Sequence, residues 1–238
     1  MKTIKFTCIL LLTLCTISAC NSIQSGEDVI KAMHDKYEGQ WYPHLTFAQN
    51  VYFYKGDTIQ REQIWWEAIT LGEGLIIKFD SISSDAGYLF RNDSLYVYNQ
   101  GAIVNRGPRV HDALELGFNV YGQPADTTIS KLKSAGFDFS KLDEDERYYI
   151  IGDPTKKQVW IEKERLLFYK IKTTAPNGMT SGVEFHKYEK LGKTWISPEV
   201  LFFNNGKMTM KETYFDMKIP DSLPSDLFSK EGFQAKTW

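Results

Sequence analysis

The chain has 238 residues, with 28 basic against 30 acidic side chains and an aromatic content of 14%. A net charge of -2 leaves out the basic patch that a nucleic-acid binder carries, so no nucleic-acid partner is expected. Apolar and charged fractions of 42% and 24% are those of an ordinary folded body.

Lys2 and Lys5 precede an apolar run from Cys8 to Leu14, and small residues follow. That is the order of a secretory signal. The run is shorter than the roughly 20 residues that span a bilayer. Ile17-Ser18-Ala19-Cys20 resembles a bacterial lipobox, which implies cleavage before Cys20 and acylation of Cys20. Residues 1–19 are therefore expected to be a lipoprotein signal peptide, 20–25 a tether and 26–238 a single domain. The competing reading of Cys20 is a free or disulfide-bonded thiol. Cys8 and Cys15 leave with the signal, so the mature chain keeps one cysteine and no internal partner for it. An oxidising compartment discourages such a thiol, and acylation removes the problem. Asn21-Ser22, with no Asp at the position after Cys20, resembles an outer-membrane sorting signal. It implies a lipid anchor in the outer membrane on the periplasmic face.

Ser25 and Asp28 have capping-box spacing, and Val29, Ile30, Met33 and Tyr37 share a helical face. The pattern predicts an amphipathic helix over 27–38, stopped at Gly39. From Thr46 the period changes to two. Strands are expected over 46–53, 58–71, 75–79, 88–91, 94–99 and 102–105, with turns at Lys55-Gly56-Asp57, Gly72-Glu73-Gly74 and Asn92-Asp93. Asp112 to Gly136 breaks the rhythm with a helical insert, either a lid over a cavity or a packing element. Strands resume over 148–151, 158–162, 166–173, 181–191, 194–203 and 208–219. Pro198 marks an edge or a bulge. About ten or eleven antiparallel strands with few helices make a mainly β, α+β chain whose bent sheet must close or be covered.

Catalysis has little support. His34, His44, His111 and His186 stand apart in sequence, no HExxH or GxSxG occurs, and phosphate-binding glycine loops are missing. The acidic run Asp143-Glu144-Asp145-Glu146 matches no calcium loop and reads as a solvated turn. No enzyme activity, metal or cofactor is expected. Trp65 and Trp66 are neighbours on one strand, so one faces each side of the sheet. Candidate inner-face, ligand-lining residues are Ile64, Trp66, Leu75, Ile77, Phe79, Tyr88, Phe90, Phe168 and Phe202. For each, filling an ordinary barrel core is the competing role.

Several stretches resemble the LolA/LolB-like lipoprotein-carrier superfamily, the outer-membrane lipoprotein-sorting proteins. They are Asn92-Asp93-Ser94-Leu95-Tyr96-Val97-Tyr98, Val159 to Lys163 with Leu166 to Ile171, Trp195-Ile196-Ser197-Pro198, and Ile219 to Pro224 with Leu227-Phe228. The resemblance implies an unclosed antiparallel β-barrel of about eleven strands, covered by helices, whose apolar cavity receives acyl chains of lipoproteins. The soluble carrier of that system has no lipid anchor, so the anchor expected here favours an anchored acceptor or another lipoprotein of the same fold. The acceptor's exposed apolar loop does not carry over, because Lys55-Gly56-Asp57-Thr58 is polar. A sensor or scaffold that binds a protein partner in the envelope is the alternative function.

Overall fold

A computed structural model describes residues 23–238. The expected signal peptide, Cys20 and the first half of the tether lie outside the described residues. Helix α1 (Gly26–Tyr37) begins at the expected capping box: the Asp28 amide donates to Ser25 Oγ at 3.2 Å, and the Ser25 amide donates to Asp28 Oδ2 at 2.9 Å. Its face of Val29, Ile30, Met33 and Tyr37 is buried.

Six strands follow as a meander: β1 (His44–Lys55), β2 (Thr58–Thr70), β3 (Gly74–Phe79), β4 (Gly87–Arg91), β5 (Ser94–Asn99) and β6 (Ala102–Pro108). The β4–β5 turn is tight because Asn92 and Asp93 both adopt positive φ, 50° and 53°, the conformation that matches strand twist in two-residue hairpins. The insert holds α2 (Asp112–Gly117), a 3-10 turn (Asn119–Tyr121) and α3 (Ala125–Ser134). Next come β7 (Leu142–Glu144), β8 (Tyr148–Gly152), β9 (Lys157–Glu162), β10 (Leu167–Thr174), β11 (Thr180–His186), β12 (Glu189–Leu191), β13 (Thr194–Ile196), β14 (Glu199–Asn204) and β15 (Lys207–Lys218). A short helix, α4 (Lys230–Ala235), ends the chain.

Among the described residues, thirteen strands form one antiparallel sheet in the order β6-β5-β4-β3-β2-β1-β15-β14-β11-β10-β9-β8-β7. The sheet is unclosed, as expected, since β6 and β7 are its two edges. The count exceeds the expected eleven in part because the acidic run contributes to an edge strand, β7. Pro198 does not mark an edge or bulge. It ends the separate β12–β13 hairpin and returns the chain to the main sheet at β14. No helix among the described residues is long and apolar enough to cross a membrane.

The concave face is covered by α1 and the insert. Leu116, Val120 and Tyr121 are buried there, and the Tyr121 ring stacks on Trp41 at 3.9 Å. The insert is thus a built part of the core rather than a loose flap. The convex face of β2–β5 is covered too. Leu227, Phe228 and Phe233 pack on Ala68, Ile76, Leu89 and Tyr98, with Phe233 stacked on Tyr98 at 3.8 Å.

Candidate functional site

The concave side of the sheet is not filled. A cavity of about 390 Å³ lies between the β1–β5 and β11–β15 halves, roofed by Leu114 and Phe118 of the insert. This volume falls within the range of ligand pockets, about 300–1,000 Å³. Its wall is largely aromatic and aliphatic because alternate residues of each strand point inward. Trp65, Leu75, Ile77, Tyr88 and Phe90 line one half, and Phe185, Val200, Phe202 and Met210 the other. A wider groove of about 1,020 Å³ adjoins it, and the two share Arg109, His111, Ala113, Phe202 and Met210.

Of the residues expected to face inward, Leu75, Ile77, Tyr88, Phe90 and Phe202 line the cavity. Phe79 sits beside it, 5.0 Å from Tyr88 and 5.2 Å from Trp65, ring centre to ring centre. Phe168 stands one layer behind, fully buried, with its ring edge-on to Phe185 at 4.8 Å. Ile64 and Trp66 require a correction. Both lie on the convex face: Ile64 is 40% exposed, and Trp66 meets Phe215 and borders a pocket with Leu223, Pro224 and Trp238 of the C-terminal segment. Trp65 takes the inward place. Trp66 is apolar and partly covered because the C-terminal segment lies over it, so its chemistry misreports the face.

Two acidic side chains were not expected at the site. Glu67 on β2 and Glu212 on β15 both line the cavity and are buried. Gln49, on the intervening strand β1, donates from Nε2 to Glu67 Oε1 at 2.7 Å. Desolvation, with Glu212 nearby, pushes the Glu67 carboxyl well above its ordinary range. Desolvation likewise raises Glu212 to about 8, against a smaller opposing pull from its hydrogen bond to Gln49. Glu212 therefore favours the protonated form at neutral pH, and burial shifts Glu67 in the same direction. The signal for this trio is in the sequence: Gln49 is in phase with Phe47, Val51 and Phe53, and Glu67 with Trp65 and Ile69. At the rim, burial beside Arg109 lowers His111 to about 4, and its neutral ring caps α2 by accepting from the Leu114 amide at 3.1 Å. The residues that meet in the cavity offer apolar contact and hydrogen bonding. Among the described residues no group of three or more His, Cys, Asp or Glu side chains is placed to hold a metal.

No family model and no curated protein matches the sequence. Solved structures do. A putative outer membrane lipoprotein-sorting protein domain from Vibrio parahaemolyticus is similar with a TM-score of 0.60 and 14% identity, over 88% of this chain and 98% of that one. A LolA superfamily protein from Nitrosomonas europaea gives 0.56 and 13%, over 87% and 99%. A DUF1329 family protein from Desulfovibrio piger gives 0.60 and 13%, over 88% and 98%. Matches at this identity over nearly the whole of each neighbour speak to architecture, and the chain has the LolA-like fold.

Proposed function

We propose that this chain is an envelope lipoprotein, tethered to the outer membrane through acylated Cys20, that holds an acyl chain in its cavity during lipoprotein sorting or lipid transfer. The observation that carries the reading is the unfilled apolar cavity of about 390 Å³ inside an open sheet. Two of the neighbours' descriptions, LolA superfamily and lipoprotein-sorting, support it. The energetics suit a carrier. About 15 methylenes at ~0.8 kcal/mol each give roughly 12 kcal/mol, and association costs of about 4–15 kcal/mol reduce it to a releasable grip. Holding a chain in this way makes and breaks no covalent bond.

Native mass spectrometry tests it on the full chain carrying Cys20→Ser, which keeps the anchor's own acyl groups out of the readout. A co-purifying lipid is expected. A bare mass, together with no uptake of an added alkyl compound, overturns the reading. Palmitate incorporation by the native chain and none by Cys20→Ser tests the anchor separately.

A further inference from the structure

Arg109 and His111 stand where three hollows meet: the cavity, the wider groove and a recess of about 370 Å³ walled in part by Asn92, Asn119 and Gln123. The segment that carries them is tied at both ends. The Arg109 amide donates to the Asp93 carbonyl at 2.7 Å, and His111 Nδ1 accepts from the Leu114 amide at 3.1 Å. With Nδ1 an acceptor, the neutral ring carries its hydrogen on Nε2. Among the described residues no acceptor meets Nε2, and unlike the indole nitrogen of Trp41 or Trp66 it is not sealed off. Arg109 is exposed, and its guanidinium lies 6.0 Å from the centre of the Phe90 ring. Among the described residues that guanidinium pairs with no carboxylate. Asp93 and Asp112, which share the groove with it, are held by Lys131 at 3.4 Å and Lys157 at 3.1 Å. Arg109 is also the one permanent cation among the described residues that line the cavity. Glu67 and Glu212 line the cavity but not the groove, so an anion carried inward past the rim would be desolvated without a counter-charge.

We propose that Arg109 and His111 form a rim subsite for the oxyanion head, a carboxylate or a phosphate, of an amphiphile whose tail occupies the cavity. The inference rests on the proposed lipid-binding function and adds the sign of the headgroup to it. The guanidinium presents parallel N–H donors that match two oxygens of either head, and His111 Nε2 adds a further donor without adding charge. The occupant has one favourable direction, tail inward and head at the rim, because Arg109 stands at the mouth and the deeper wall carries carboxyls. An alkyl ester brings the same tail with no charge for Arg109 to hold.

Displacement of the apolar dye N-phenyl-1-naphthylamine from the full chain carrying Cys20→Ser provides the test. The competitors share one chain length and are used below their micelle thresholds: laurate, dodecyl phosphate and methyl laurate. The two anions are expected to compete about tenfold better than methyl laurate. Added salt is expected to shrink that advantage, because the rim is open to solvent. Arg109→Met, which keeps an apolar stem, is expected to erase it while methyl laurate holds its place, and Arg109→Lys to keep part of it. His111→Asp leaves an acceptor to cap α2 but removes the donor, and is expected to weaken both anions and spare methyl laurate. Laurate ahead of dodecyl phosphate assigns the head to a free fatty acid, and the reverse order to a phosphate-bearing lipid; both orders support the subsite. Equal competition by all three compounds against the native rim overturns the subsite and leaves lipid binding standing. So does an undiminished advantage in Arg109→Met. If the dye binds and none of the three displaces it, the lipid-binding function falls and the subsite with it.

Discussion

The carboxyls of Glu67 and Glu212 bind protons more tightly in the folded chain than in the unfolded one. For a carboxyl the consequence has a definite sign. The stability this contributes is complete below the unfolded value, 4.5, and is lost as pH rises through about 8, where Glu212 ionises in the fold. The melting temperature is therefore expected to fall between about pH 5 and pH 8. Glu212→Gln is expected to flatten that fall, because it leaves only Glu67 to resist ionisation. A native profile that stays level across this window contradicts the assignment. Phe168 is pinned differently. It lies just before β10 begins to pair with β11, so its backbone groups go to side chains instead. Its amide donates to the Tyr121 hydroxyl at 2.9 Å, and its carbonyl accepts from the Tyr188 hydroxyl at 2.6 Å. Tyr121→Phe orphans a buried amide and is expected to cost about 1–3 kcal/mol in chemical denaturation.

At the scale of elements, the insert meets the sheet too closely to tolerate side-chain growth. A Cβ on Gly117 of α2 would lie 2.5 Å from the Phe185 ring, which is also a wall of the cavity. Gly117→Ala is expected to cost about 1–3 kcal/mol and to weaken dye uptake, since Phe185 can yield only into the open space. A second polar network holds the insert in place. Buried Glu115 accepts from Asn119 at 3.0 Å, Gln123 at 2.6 Å and Lys131 at 2.9 Å, and Asn119 accepts from the Gly72 amide at 2.9 Å. Elements of this kind differ in how well their sequences announce them. The capping spacing of Ser25 and Asp28 and the Asn92-Asp93 turn are local signals, and both elements form where the sequence places them. The orientation of β2 is not a local property. Ala68 and Ile76 are as buried as Ile69 and Leu75, since a segment more than 140 residues later covers the convex face. Hydrophobicity on both faces removes the contrast that would separate Trp65 from Trp66. Glu67 and Gln49 were obscured for the opposite reason: polar side chains in the inward phase look like surface until their strands are assembled.

Across the whole molecule, the sheet is stabilised from both sides, and the outer support comes last in the chain. Phe233 is fully buried against Tyr98, Arg91 donates to the Phe228 carbonyl at 2.9 Å, and buried Lys78 donates to the Lys236 carbonyl at 2.9 Å. Phe233→Ala is expected to lower stability by about 3–5 kcal/mol, read as a large drop in denaturation midpoint. The cavity, on the other side of the sheet, should still take up dye below the transition. Loss of uptake in the folded variant would show that the two faces are coupled.

The seam between β6 and β7 has a further consequence. In a tube closed by backbone hydrogen bonds, strand number and stagger set the bore. Here the two margins are joined by a connector, from Arg109 to Lys141, that also supplies the roof. Its length and packing, not the ladder, set how far the margins stand apart. Trimming or extending that connector would therefore change what size of molecule the cavity admits while every strand pairing is kept.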